Sequence, residues 1–307
     1  MLLDTASLYF RAFFGVPDSV RAPDGTPVNA VRGLLDFIAR LVGQYEPTHL
    51  ACCWDNDWRP QWRVDLLPTY KAHRVEYVVA DGVDVEETPD PLETQVPIIL
   101  DVLDALGLAV VGADGYEADD VIGTLSERAA EGGMPADIVT GDRDLFQLVD
   151  DARAVRVLYT ARGVGKHEII DEAAVVRRYA VLPEQYADFA TMRGDSSDGL
   201  PGVAGVGEKT AASLLRTYGD LDSIVAAAAD GTSTLSATAR GRLTAAADYL
   251  AVAPRVVAVC RDLDLGAPVL DLPYPAPRDP VRFAELTEQW GLGGSADRVV
   301  DALMSRS

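Results

Sequence analysis

The chain has 307 residues, 48% of them hydrophobic and 24% charged, enough to bury a substantial core as one large domain or two smaller ones. No run of 18 apolar residues occurs, so no transmembrane helix is expected, and Met1-Leu2-Leu3-Asp4 lacks the basic start and long apolar run of a secretion signal. A formal net charge of −21 argues against a diffuse basic surface that grips nucleic acid everywhere, but it leaves room for clustered carboxylates neutralised by divalent cations.

In chain order, the apolar run at residues 1–3 reads as a short strand ending at Asp4. Residues 29–45 place Val31, Leu34, Leu35, Ile38, Leu41 and Val42 at the 3.6-residue period of an amphipathic helix. HLACCW is a buried-strand candidate that ends at Asp55. Three cysteines, two of them adjacent in this run, exclude a disulfide framework; Cys52 and Cys53 read as buried thiols of a reducing, cytoplasmic compartment. Residues 97–106 read as a helix and LAVVG as a strand. EADDVIGTLSERAAEGG reads as a helix with acids in its first turn and glycines at its end, and ADIVT as a strand ending at Gly141-Asp142. Strands separated by helices imply a mostly parallel sheet covered on both faces.

Past about residue 180 the strands give way to helical stretches joined by glycine-bearing turns: LPEQYADFATMRG, EKTAASLLRTYG, LDSIVAAAADG and SATARGRLTAAADYLAVA. The expected organisation is an α/β core over 1–180 with an aperiodic loop or arch at about 74–93, and a helical module over 181–261. A C-terminal segment over 262–307, with a Pro-rich link and a final helix, is expected to pack back on the core.

Acids fall where these elements end. Asp4, Asp55 and the pair Asp142 and Asp144 follow strands; Glu117, Asp119 and Asp120 open a helix; Asp195 and Asp198 lie in the loop GDSSD. That makes nine carboxylates from five segments. In an open parallel sheet, ligands bind beyond the carboxyl ends of the strands. Taken alone, EADD or GDRD needs nothing more than helix capping. Together they form a set that like-charge repulsion opposes unless cations bind, and an all-oxygen donor set selects Mg²⁺ or Mn²⁺, commonly as two ions about 3.5–4 Å apart. His49, His73 and His167 have no metal-ligand spacing.

Lys209 is one of only three lysines. GVGEKT fails Walker A spacing and lacks the third glycine of a dinucleotide fingerprint. What remains at Gly205, Gly207, Lys209 and Thr210 is a Gly-X-Gly turn opening a helix, whose N–H groups suit a phosphate oxygen of a nucleic-acid backbone without reading sequence. In TYKAHR, Lys71 and Arg74 would share a face of a helix, which by itself reads either as an exposed helical surface or as a pair placed to neutralise a phosphate.

The segments LLDTASLYFRAFF, CWDNDWRPQWRVDLLPTYKAHR, YEADDVIGTLSERA, IVTGDRDLFQLV and MRGDSSDGLPGVAGVGEKTAASLL, in that order, resemble the 5′-nuclease family. That family comprises the N-terminal nuclease domain of bacterial DNA polymerase I, stand-alone bacterial flap endonucleases and their phage relatives. The resemblance covers residues 1 to about 225, and the absence of a polymerase-sized extension suggests a stand-alone nuclease. It implies an α/β fold: a PIN-like 5′-nuclease core with a mostly parallel mixed sheet flanked by helices, plus a helix-three-turn-helix (helix-hairpin-helix) module. It further implies Asp4, Asp55, Glu117 and Asp119 as ligands of a first metal, and Asp142, Asp144, Asp195 and Asp198 as ligands of a second, with Asp119 between the two. Asp120 joins the cluster either through water or by helping to hold a third ion. Arg11, Lys71 and Arg74 would act on the scissile phosphate, Tyr70 would stack on a terminal base, and K⁺ would sit at the hairpin.

The implied substrates are 5′ flaps, nicked or gapped duplexes and 5′ ends of DNA, in replication and repair, with no membrane partner and a monomer expected. The competing readings are a DNA-junction binder without catalysis and a small-molecule phosphohydrolase. The carboxylate set speaks against the first, the phosphate-gripping hairpin against the second. One departure stands out: relatives carry a Pro-rich link or basic arch after YKAHR, whereas residues 76–93 hold seven carboxylates and no Lys or Arg.

Overall fold

Short Val-, Leu-, Ile- and Cys-rich runs build the central sheet. In the computed structural model, which describes residues 1–79 and 82–305, the strands are β1 (Leu2–Asp4), β2 (Ala51–Cys53), β3 (Val75–Tyr77), β4 (Val85–Glu86), β5 (Ala109–Val111), β6 (Ala136–Thr140), β7 (Val155–Tyr159) and β8 (Glu168–Ile170). Six of them form one sheet in the order β5-β2-β1-β6-β7-β8, parallel throughout except for the β7–β8 edge. Strands β3 and β4 pair separately, antiparallel, inside the acidic segment; Ala80 and Asp81 of that expected arch lie outside the described residues.

Alternation along the strands sends side chains to two cores. Leu2, Ala51, Cys53, Ile138 and Val157 face one, while Leu3, Cys52, Val139 and Leu158 face the other. Burial on both faces explains why these strands read as continuous apolar runs, and both cysteines are fully buried as expected. The helix Asn29–Tyr45 buries its whole apolar stripe, Val31 through Val42, on the second face beside Val96–Leu106. The last helix, Gly293–Met304, lies across Asn29–Tyr45, and Arg298 reaches Asp36 at 2.7 Å.

The first face is covered by Ala118–Glu131, whose Val121, Ile122 and Leu125 point inward, and by the helices Tyr186–Arg193, Glu208–Tyr218 and Leu221–Ala229. The stretch read as one helix over SATARGRLTAAADYLAVA is two, Ala237–Ala245 and Ala247–Val257. The Ala246 N–H bonds back to both Arg242 and Leu243, which tightens the turn and ends the first helix. The second then lies against Tyr186–Arg193, with the Tyr249 hydroxyl donating to the Thr191 carbonyl at 2.9 Å. Among the described residues no helix is long and apolar enough to cross a membrane.

Candidate active site

Strand β1 is flanked by β2 on one side and β6 on the other. The chain runs outward from β1 to β2 and β5, then returns across β1 to β6, so the edge beyond β1 and β6 is the topological switch point. Asp4 ends β1, Asp55 lies just past β2, and Asp142 just past β6.

The capping roles of these acids are present. One Asp4 oxygen accepts the Ser7 N–H at 3.1 Å at the start of helix Thr5–Gly15, and the other accepts the Thr140 hydroxyl at 2.6 Å. Asp55 accepts the Ala118 N–H at 2.7 Å, tying the end of β2 to helix Ala118–Glu131, and Asp142 accepts the Asp144 N–H at 2.8 Å. Caps occupy only part of each carboxylate, and the remainder faces shared space. All eight carboxylates expected as metal ligands line one cavity of about 1090 Å³, together with Arg11, Lys71 and Arg74.

The electrostatics match an acid-rich site. Burial pushes the Asp4 carboxyl up to about 7 and that of Asp55 to about 6. Burial, then the neighbouring Asp142 carboxylate, raises Asp119 and Asp144 well above the usual carboxylate range. Burial also raises Asp198, against the pull of Lys71. Hard divalent cations relieve such repulsion, and the oxygen-only donors fit them. Among the described residues no three His, Cys, Asp or Glu side chains form a ready-made metal cluster.

Asp195 is different. Partial burial opposes its ionisation, but the Ser197 hydroxyl and N–H, with Arg193 and Arg143, hold its carboxyl below the usual range. Arg193 contacts it at 3.0 Å and Arg143 at 3.3 Å. Neither arginine was singled out from the sequence, although Arg143 stands inside GDRD.

Asp120 does not join the cavity. It is fully buried, each of its two oxygens accepts from a different Arg63 guanidinium nitrogen at 2.7 Å, and Oδ1 also accepts the Cys260 N–H at 2.8 Å. With both oxygens engaged in the interior it closes the helix start and anchors the chain leaving the helical module, rather than facing substrate or an ion. Arg63, missed in the sequence, also donates to Glu117 at 2.7 Å and to the Val256 carbonyl at 3.1 Å. Tyr70 likewise departs from a base-stacking role: it is 5% exposed and its hydroxyl donates to Glu117 at 2.7 Å.

Lys71 and Arg74 both reach the cavity, but not from an α-helix. Lys71 sits at φ 47° ahead of a 3-10 turn, Ala72–Arg74. Its ammonium bonds Glu117 and the Trp58 carbonyl, and although burial opposes the charge, the Glu117 carboxylate raises its pKa well above that of free lysine. Its backbone N–H donates to the Asp198 carbonyl at 3.0 Å, and Gly199, at φ +69°, is packed so that a Cβ would lie 2.0 Å from the Thr69 carbonyl. Only glycine lets this acidic loop dock on the lysine turn. Arg74 donates to Asp198 at 3.4 Å, and Arg11 to the Ala161 carbonyl at 3.3 Å.

Gly205, Gly207, Lys209 and Thr210 form a separate surface, none of them lining the cavity. Gly205, at φ +76°, offers its carbonyl to Arg242 at 2.8 Å, and Gly207 caps helix Glu208–Tyr218, where a Cβ would meet nothing within 4 Å. Lys209 is exposed. Arg193 spans the two surfaces, with Asp195 on one side and Glu208 at 3.9 Å on the other.

Comparison with known proteins agrees with this geometry. Residues 1–180 match the family described as 5′-3′ exonuclease, N-terminal resolvase-like domain, and residues 181–280 match 5′-3′ exonuclease, C-terminal SAM fold. A 5′-3′ exonuclease of Streptomyces coelicolor is 61% identical over 303 residues, covering 99% of both chains. One of Mycobacterium tuberculosis is 51% identical over 311 residues, covering 99% of this chain and 97% of its own. Among solved structures, a bacteriophage T5 flap endonuclease in a complex with DNA and metal ions shares the fold, with a TM-score of 0.64 at 16% identity over 99% of this chain and 97% of that one. With its sequence matched from end to end by named relatives and its acids gathered at the switch point of the sheet, the chain belongs to the 5′-3′ exonuclease family.

Proposed function

We propose that the protein is a metal-dependent, structure-specific 5′ nuclease that hydrolyses DNA phosphodiesters without reading sequence, with 5′-flap endonuclease and 5′-3′ exonuclease activity in replication and repair. The observation that carries this reading is the convergence of the eight expected metal ligands with Arg11, Lys71 and Arg74 on one cavity. Asp4, Asp55, Glu117 and Asp119 would hold one Mg²⁺ or Mn²⁺, and Asp142, Asp144 and Asp198 another, with Asp195 oriented beside them by its two arginines. When bound, such ions activate water and neutralise charge on the phosphate.

The chain's own residues do the rest. Lys71 and Arg74 supply fixed positive charge at the cavity wall, where a substrate phosphate exchanges with Glu117 and Asp198 for their donors. Arg11, whose buried Nε has no hydrogen-bond partner among the described residues, holds a further donor at the same wall. The hairpin at Gly205–Thr210, with K⁺ as an accompanying ion, grips the duplex backbone at a distance that the stretch from Asp198 to Lys209 sets. The core over 1–180, the module over 181–261 and the returning C-terminal segment over 262–307 form the units of this reading.

The test incubates a 5′-labelled flap duplex, a plasmid and a nucleotide monophosphate with Mg²⁺ or Mn²⁺, with and without EDTA. Flap cleavage that needs metal is expected, and Asp142→Ala should lower it about 10²–10³-fold, as loss of one preorganised electrostatic group does. DNA cleavage that ignores EDTA, or survives unchanged in that variant, overturns the reading; turnover confined to the monophosphate favours a phosphohydrolase.

A further inference from the structure

The acidic stretch at residues 76–93 holds an ordered ribbon among its described residues. Strands β3 and β4 pair with Val75 opposite Glu86, and the Glu87 N–H donates to the Arg74 carbonyl at 2.8 Å, so Arg74 and Glu86 ride on facing stretches of backbone. Asp84 fastens this ribbon to the core. Its carboxylate meets Arg59 at 2.5 Å with both side chains at most 10% exposed, and its carbonyl accepts the Trp58 indole N–H at 2.7 Å. The ribbon therefore presents Glu86 to the wall of the carboxylate cavity, beside Trp58, Lys71 and Arg74. One Arg74 nitrogen lies 3.7 Å from Glu86 Oε1, while the other donates to Asp198 at 3.4 Å. Arg74 stands between a carboxylate of the proposed metal set and one that belongs to no such set.

Resting on the 5′-nuclease reading above, we propose that Glu86 is a specificity-determining residue: it competes with the substrate phosphate for Arg74 and disfavours phosphates of higher charge. Because both residues belong to one clamped ribbon, the competition is intramolecular, and Glu86 returns to the guanidinium whenever a phosphate leaves. A terminal phosphomonoester carries about 1.5–2 negative charges at neutral pH against one for an internal phosphodiester, so Glu86 repels it up to about twice as strongly. The site is thereby biased toward internal linkages and against retaining a 5′-phosphorylated end. An acidic residue here replaces non-selective attraction by selection on charge.

The experiment measures the Kd of two otherwise identical duplexes, one ending in a 5′-phosphate and one in a 5′-hydroxyl, with Ca²⁺ supplied as the divalent ion. The proteins are wild type, Glu86→Gln, Arg74→Ala, the double variant, and Glu87→Gln as an equal loss of charge at the exposed neighbour. Glu86→Gln should bind the 5′-phosphorylated duplex about two- to fivefold more tightly, the scale of a partly exposed ion pair, with a smaller gain on the 5′-hydroxyl duplex. The gain should shrink in the Arg74→Ala background, where only direct repulsion by Glu86 remains, and Glu87→Gln should show none. An absent gain, an equal gain on both ends, an undiminished gain without Arg74, or the same gain from Glu87→Gln overturns the proposal. Cleavage of a flap by the wild type in Mg²⁺ is scored separately: if it fails, the nuclease reading falls while the Kd comparison still decides whether Glu86 competes for Arg74.

Discussion

Asp119 and Asp120 are adjacent, open the same helix and would be interchangeable as text, yet the fold gives them opposite surroundings. Asp119 faces the cavity and its like-charged neighbours; Asp120 faces inward and is matched by a bidentate guanidinium. Removing one partner of a buried charge pair leaves the other uncompensated, so Asp120→Asn should lower unfolding stability by about 3 kcal/mol in denaturant titration. Activity per folded molecule should stay within about tenfold of wild type, in contrast to the loss expected of Asp142→Ala. A Mn²⁺-dependent rate that collapses in Asp120→Asn while the stability holds would return Asp120 to the reacting centre.

At the level of elements, the hairpin at Gly205–Thr210 and the ribbon β3–β4 sit on opposite sides of the catalytic question. The hairpin presents N–H groups, an open glycine cap and an exposed lysine, all suited to positioning a backbone. Lys209→Ala should weaken duplex binding and flatten the slope of log K against log salt by just under one, the share of a single phosphate contact, with the single-turnover cleavage rate at saturating DNA little changed. An unaltered slope would remove Lys209 from the DNA-facing surface. The ribbon shows why local period failed to describe residues 74–93: its strands are two and three residues long, and what holds them is Arg59 and Trp58 from another segment.

For the whole molecule, the dominant fact is a charge of −21 with part of it concentrated at one sheet edge. Asp4, raised to about 7, and Asp55, raised to about 6, bind protons more readily folded than unfolded. Between about pH 4 and 7 the native state therefore holds more protons than the unfolded chain, and stability must fall as pH rises through that window. With EDTA present, Tm should drop from pH 5.5 to pH 7.5, and Mn²⁺ should restore it at pH 7.5, because a bound cation takes over the role of the lost protons. A Tm that rises over this interval without metal would contradict the account of a cavity lined by buried, crowded carboxylates.

Much of this was legible in the sequence because it is local. A carboxylate at the end of an apolar run or the start of a helix is written in consecutive residues, and Asp4, Asp55, Asp142 and the GDSSD loop fall where such reading puts them. So does the buried stripe of Asn29–Tyr45, since a helical period needs no knowledge of its partner. Strand β7 and the edge strand β8 escaped notice because Arg156 and Glu168 interrupt their apolar character. What tertiary structure alone decided is pairing across long separations: Arg63 with Asp120 and the chain leaving the helical module, Tyr70 and Lys71 with Glu117, Arg193 with Asp195 and Glu208, and Arg74 with Glu86. The sequence names which groups carry charge, but whether a charge is spent in the interior or left facing a cavity depends on which distant segment packs against it.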